Sequence, residues 1–304
     1  MLNLNVKNET SRLRAVVLGT AKKVGPAPCE HEAYDPKSRE HILAGTYPKE
    51  EEMILEMEAF RQVLEKYDVE VYRPECIEDV NQIFARDISF VIDDYFIKSN
   101  ILPERDKEIP AIDYIIKQVD PSKVITPPDD VHVEGGDVML LDDYILVGTY
   151  LRPDYSEIKT ARTNLKAVHF LRELFPQKKV IEMDLIKSME EPRDNALHLD
   201  CCFQPVGKGK GIIYKDAFMV ERDYEFLVDM FGMENLFHVT REEMYHMNCN
   251  VFSISPEVVV SEKNFIRLNT WMREQGLTVE EIPYAEISKQ GGLLRCSTLP
   301  LIRD

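Results

Sequence analysis

The chain has 304 residues, 44% of them hydrophobic, and carries a formal net charge of -17. The apolar share is that of a globular protein with a sizeable core. The acidic balance argues against nucleic-acid or anionic-membrane partners, which need a basic footprint; it suits solubility, or a cationic ligand drawn to a negative field. The opening MLNLNVKNETSRLR has no apolar stretch of the signal-peptide kind, and no apolar run approaches the roughly 18 residues that span a bilayer. Cys29, Cys76, Cys201, Cys202, Cys249 and Cys296 form no CxxC pair. They read as free thiols of a reducing compartment, so the expectation is a cytoplasmic protein.

β-Branched and apolar runs bounded by Gly, Pro and Asp pairs mark strands, and 3.6-residue periodicity marks helices. In chain order, residues 12–18 (RLRAVVL) read as a strand, 49–67 as an amphipathic helix and 69–72 as a short strand. FARDISFVI and YFIKSN follow, then a helix around 104–118 and VITP. HVEGGDVMLL and YILVGTY precede a helix at 156–174 and KKVIEM. ALHLDCCFQPV and GIIY precede a helix near 220–231 and LFHV. NVFSI and EVVVS precede a helix at 264–275 and TVEEIPY.

The unit strand, strand, helix, strand thus recurs five times with a period of roughly 45 to 65 residues, which predicts a radial array. Five units about an axis make an αβ-propeller of class α/β, and no linker divides residues 1–304 into more than one domain. A doubly wound sheet competes, but tight two-strand hairpins do not fit pure βαβ winding. The insert at 20–47 is long for a loop and has the size of a lid.

The repeat places polar residues at equivalent points, so that they converge on one central cavity. Asp87 opens the first strand of the second unit, Glu134 that of the third, and His198 and Asp200 that of the fourth; Cys296 follows the fifth. Two glycines inside Glu134-Gly135-Gly136-Asp137 mark a bulge or a close approach of backbone or ligand. Glu134 and Asp137 flank an apolar run and are costly to bury without partners. On a strand, His198 and Asp200 would share one face. Cys296 follows Gly291-Gly292 and precedes hydroxyls, and a neighbouring cation, Arg295 or His198, would lower its pKa towards thiolate. The other cysteines read as structural.

The order of NxxFxRD (residues 81–87), EGGD, HLD and a C-terminal GG..RCST resembles the guanidino-modifying superfamily: arginine deiminases, dimethylarginine dimethylaminohydrolases and glycine amidinotransferases. All are built on the five-bladed αβ-propeller called the pentein. The resemblance implies Cys296 as nucleophile, His198 polarised by Glu134 as general acid and base, and Asp87 and Asp200 as acceptors for guanidinium N–H groups. It implies that Asn81 and Arg152 hold the amino-acid end of the substrate, that no metal or cofactor is used, and that the partner is a small cationic guanidino compound. A homo-oligomer is compatible with it. Arg295, where amidinotransferases and agmatine deiminases usually carry His before the Cys, leans the resemblance towards the hydrolases. An amidinotransferase and a non-catalytic pentein binding protein are the other readings.

Overall fold

The apolar runs pair as hairpins because the links between them are too short for anything else. Ile92 and Tyr95 are joined through Asp93 (φ 53), and Leu141 and Tyr144 through Asp142 (φ 49). Aspartate tolerates this left-handed conformation, and the turn matches the strands' own twist. Each hairpin is then joined, after a connecting segment, by a third strand running parallel to its second.

The computed structural model describes all residues 1–304. It holds five three-stranded sheets. Four are consecutive in sequence: 89–92, 95–98 and 124–125; 138–141, 144–149 and 179–184; 203–206, 210–213 and 236–238; 252–255, 258–262 and 278–282. The remaining sheet takes Leu13–Leu18 and Glu70–Tyr72 from one part of the chain and Thr298–Arg303 from the other. The sequence reading found only two strands in that first unit and missed Thr298–Arg303, whose proline at Pro300 weakens the strand signal.

The helix Glu50–Lys66 buries Met53, Met57, Phe60 and Leu64, one face at three- and four-residue spacing. Its first turn carries Glu50, Glu51 and Glu52 and its last Lys66, as the helix dipole favours. Phe60 meets Phe252 and Tyr284 edge-on at 5.8 Å, which ties this helix to another blade.

Three expectations need correction, and each falls at the site. The expected 104–118 helix is instead a 3-10 stretch, Pro103–Ile112, with a single α turn after it; Pro110 has no N–H to give an α-helix there. The expected 156–174 helix begins only at Leu165, where the Asn164 side chain caps it by accepting from Ala167 N at 3.2 Å. Finally, His198 and Asp200 do not alternate along a strand. Leu199–Cys201 is one 3-10 turn, and the strand starts at Phe203. No helix is long and apolar enough to cross a membrane.

Candidate active site

The same local construction recurs at the inner edge of several sheets: a short turn, then the first strand. Asp87 lies in the turn Ala85–Ile88 before Ser89–Ile92, and Glu134 opens the turn Gly135–Asp137 before Val138–Leu141. His198 opens the turn before Phe203–Val206; Asn250 stands just ahead of Phe252–Ser255, and Cys296 just ahead of Thr298–Arg303. Glycine permits the crowding. A Cβ on Gly136 would sit 2.6 Å from His198 Nδ1, one on Gly135 2.1 Å from the Arg86 carbonyl oxygen, and one on Gly292 2.4 Å from the Phe84 ring.

These turns meet around a cavity of about 70 Å³ whose wall includes Asp87, His198, Cys296, Asn81, Phe84 and Leu197. A volume of about 10–15 Å³ on this measure holds one water, so the space takes a small planar head and a few carbons. Residues of the 20–47 insert cover it, among them Pro28, Tyr34, Asp35 and Tyr47. Outside lies a vestibule of about 980 Å³, sharing Tyr34, Tyr47, Asn81 and Gln290 with the inner cavity.

His198 Nε2 lies 2.7 Å from Glu134 Oε2. Burial alone would raise the Glu134 pKa, but the charge of Arg162, the His198 hydrogen bond and Arg105 together hold it well below the usual range. Glu134 is therefore an acceptor, and Nε2 donates to it. Nδ1 of His198 has no partner and lies 3.7 Å from Asp87 Oδ1, which has none either. Burial opposes a charge on His198, but Asp87, Asp137 and Glu134 outweigh it and raise its pKa to about 9. The ring is an imidazolium at neutral pH, with its free N–H beside the cavity.

Cys296 is in the opposite condition. Burial, and after it the charge of Asp200, push its thiol well above the usual range. The expected lowering by Arg295 does not occur, because that guanidinium is spent elsewhere. Arg295 donates to Glu9 at 2.9 and 3.1 Å and to Asp200 Oδ2 at 2.8 Å. Asp200 lies 3.6 Å from the Cys296 sulfur. Asn250 holds both ends of the cysteine, accepting from its backbone N at 3.1 Å and contacting the sulfur through Nδ2 at 3.2 Å.

Two further guanidiniums line the cavity. Arg105 reaches Asp87 Oδ2 at 2.8 Å and grips Glu108 at 2.7 and 2.8 Å. Arg162 reaches both oxygens of Glu134 at 3.2 and 3.3 Å. Asp87, Glu134 and His198 also bring three potential metal-ligand atoms within 4.8 Å of one another. Arg105 and Arg162 already hold oxygens of both carboxylates, and the imidazolium of His198 has no lone pair to give, so this donor set does not fit a metal.

A family profile described as N,N dimethylarginine dimethylhydrolase, eukaryotic, matches residues 45–303. The chain belongs to this family. An uncharacterized protein, YkgA of Bacillus subtilis, is 32% identical over 226 residues, 73% of this chain and 70% of its own. The arginine deiminase of Borrelia recurrentis is 27% identical over 58% of this chain and 48% of its own, so the chain spans about half the length of that relative. The N-terminal domain of ArgZ, an arginine dihydrolase of cyanobacteria, superposes with a TM-score of 0.78 at 18% identity, over 95% of this chain and 97% of that one. StrB1, the inosamine-phosphate amidinotransferase of Streptomyces griseus, does so with a TM-score of 0.75 at 16% identity, over 100% and 97%. The dimethylarginine dimethylhydrolase family is thus a pentein family of guanidino-modifying enzymes, and the five-bladed αβ-propeller is its fold.

In this dimethylarginine dimethylhydrolase relative, Cys296, His198, Asp87 and Asn81 line the inner cavity, with Glu134 directly behind His198 and Asp200 behind Cys296. Asn81 sits at the mouth, 2.5 Å from Gln290 Oε1. Arg152 is not brought there: it is exposed, its guanidinium 5.3 Å from the Tyr150 ring centre, and it lines neither cavity. Arg105, Glu108, Arg162 and Asn250 went unread in the sequence. Asn250 alone had a signal, since it stands where the repeat phase puts a polar residue in the fifth unit.

Proposed function

We propose that the protein hydrolyses the guanidino carbon of arginine or a related guanidino compound, with Cys296 as nucleophile. The observation that carries this reading is the pair of unpartnered buried atoms, Asp87 Oδ1 and His198 Nδ1, beside the sulfur in one small cavity. One atom accepts a hydrogen bond and the other donates one, which is what a planar N–H-rich head and a departing amine need.

A guanidinium donating to Asp87 adds positive charge to the cavity and offsets the carboxylates that hold the Cys296 proton, so the proton leaves to solvent as the ligand enters. The thiolate forms a C–S bond to the central carbon. As the C–N bond to the departing amine breaks, its electron pair takes the proton from His198 Nδ1. The neutral imidazole then removes a proton from water, whose oxygen adds to the amidino carbon. As the C–S bond breaks, the new hydroxyl gives its remaining proton to the released amine or to solvent, which leaves a ureido product and the thiolate. Glu134 keeps the ring oriented and its charge balanced throughout.

The test is turnover of a panel of guanidino compounds in water alone, with mass spectrometry of acid-quenched enzyme. Release of ammonia or an alkylamine, a ureido product and a transient amidino adduct on Cys296 are expected, with no response to added glycine, ornithine or lysine. If a new guanidino compound forms only when an amine is supplied, the enzyme is an amidinotransferase.

A further inference from the structure

The turns ahead of Ser89–Ile92, Val138–Leu141 and Phe203–Val206 bring ionisable side chains to the centre: Asp87, Glu134 and His198. The one ahead of Phe252–Ser255 brings a neutral amide instead, Asn250, which is fully buried. Its hydrogen bonds fix which way it faces. Oδ1 accepts from Cys296 N at 3.1 Å, so Nδ2 lies on the other side, 3.1 Å from the Asp200 carbonyl oxygen and 3.2 Å from the Cys296 sulfur. Turned over, the amide would set N–H against N–H and its oxygen against that carbonyl. Its two N–H groups therefore meet two acceptors, and one of them is the sulfur. A carboxylate at this point could accept but not donate, and an imidazolium could donate but not accept. The backbone ties the same two segments together, with Arg295 N donating to the Asn250 carbonyl at 3.4 Å.

The sulfur has few other donors. Burial, and then the charge of Asp200 3.6 Å away, hold the proton on the thiol. Arg295 does not help, because its five N–H groups go to Glu9, Asp200 and the carbonyls of Gly136 and Val138. Asn250 Nδ2 is the one side-chain donor bonded to the sulfur, and the backbone N–H of Leu293 also favours the anion. A fixed N–H stabilises a charged acceptor more than a neutral one, so at this place it favours thiolate over thiol and over thioether.

We propose that Asn250 is a catalytic residue: its Nδ2–H stabilises the Cys296 thiolate, both as the nucleophile that forms the C–S bond and as the group that leaves when that bond breaks. What the thiolate attacks rests on the guanidino-hydrolase reading; the donor itself does not.

Alkylation of Cys296 by iodoacetamide, followed by peptide mass spectrometry over the pH range of thiol titration, reads the thiolate with no guanidino compound present. Asn250→Leu keeps the shape and removes the donor. The midpoint of the alkylation profile should rise, so that the rate at neutral pH falls by about 10- to 100-fold; one lost oxyanion donor costs about 10²–10³, and sulfur accepts more weakly. A lower plateau rate with an unmoved midpoint would mean that Asn250 only places the sulfur, and overturns the proposal, as does an unchanged profile. Should the variant not fold, wild-type protein carrying isotope-labelled asparagine decides by NMR. One side-chain NH2 pair must shift as Cys296 titrates and lose that response in Cys296→Ala; the absence of such a pair overturns the proposal. A raised midpoint in Asn250→Leu with no ureido product from the wild type would leave the donor standing and overturn the hydrolase reading.

Discussion

Two buried clusters of carboxylates and guanidiniums flank Cys296, and they are finished to different degrees. Behind the sulfur, Arg295 is saturated: Glu9, Asp200 and the carbonyl of Val138 take its donors at 2.8–3.1 Å. In front, Asp87 and His198 each keep one polar atom without a partner. Leaving such atoms buried and unpaired costs about 1–3 kcal/mol each, so a fold tolerates them where a ligand completes them. The saturated cluster holds the structure in place, and the incomplete one is where the proposed mechanism seats its substrate.

The sharpest way to break that contrast is at the sulfur between the two. Cys296→Ala should abolish turnover and leave the protein folded, whereas Cys201→Ala and Cys249→Ala should change only the melting temperature; near-normal kcat in Cys296→Ala sinks the covalent mechanism. On the incomplete side, His198→Asn and Glu134→Gln should slow single-turnover chemistry by on the order of 10² to 10⁴. On the saturated side, Glu9→Ala leaves Arg295 with an unmatched buried charge. A stability loss of about 3–5 kcal/mol is expected in denaturant titrations; a variant as stable as the wild type would show that Asp200 alone suffices.

Asp87→Asn should raise KM about 10- to 100-fold, the equivalent of a hydrogen bond to a charged group worth about 1.5–3 kcal/mol, with a smaller change in melting temperature than Glu9→Ala. The pH profile separates the clusters further. In the proposed mechanism the imidazolium of His198 is the acid, so kcat should fall as pH rises through about 9. Because this pKa is raised in the fold from 6.5, the stability it contributes is complete below about 6.5 and lost as pH rises through about 9. Glu134→Gln should move the kcat limb to lower pH; an unmoved limb would assign it to another group. The smallest effect is expected at Arg152, where exposure predicts a change in KM within the about 0.5 kcal/mol usual for surface substitutions.

Most of the propeller was legible because its strands are β-branched hairpins with aspartate or glycine turns, signals that are local. What escaped was non-local or irregular. Thr298–Arg303 gains its meaning only from pairing with Leu13–Leu18. The site's motif residues were found by repeat phase, but the turns that hold them are short 3-10 and α pieces that no periodicity marks. Arg105 and Glu108 were read as two positions of an ordinary helix, and Arg162 as part of another. The first is a 3-10 stretch that turns both side chains into the cavity, and the second is irregular chain ahead of the Asn164 cap. Arg152 was given a role only through the resemblance to arginine deiminases; the structure leaves it exposed and outside both cavities.

The pairing of Thr298–Arg303 with Leu13–Leu18 also governs when the candidate site is complete. Cys296 stands just ahead of the strand that shuts the ring, so the proposed nucleophile is positioned by the contact of greatest sequence separation in the blades. Contacts of that kind form late, since the whole intervening loop must be ordered first. An intermediate with four finished blades would hold Asp87, Glu134 and His198 in place and still lack a fixed sulfur. Recovery of activity on refolding therefore reports closure of the circle, not formation of its parts.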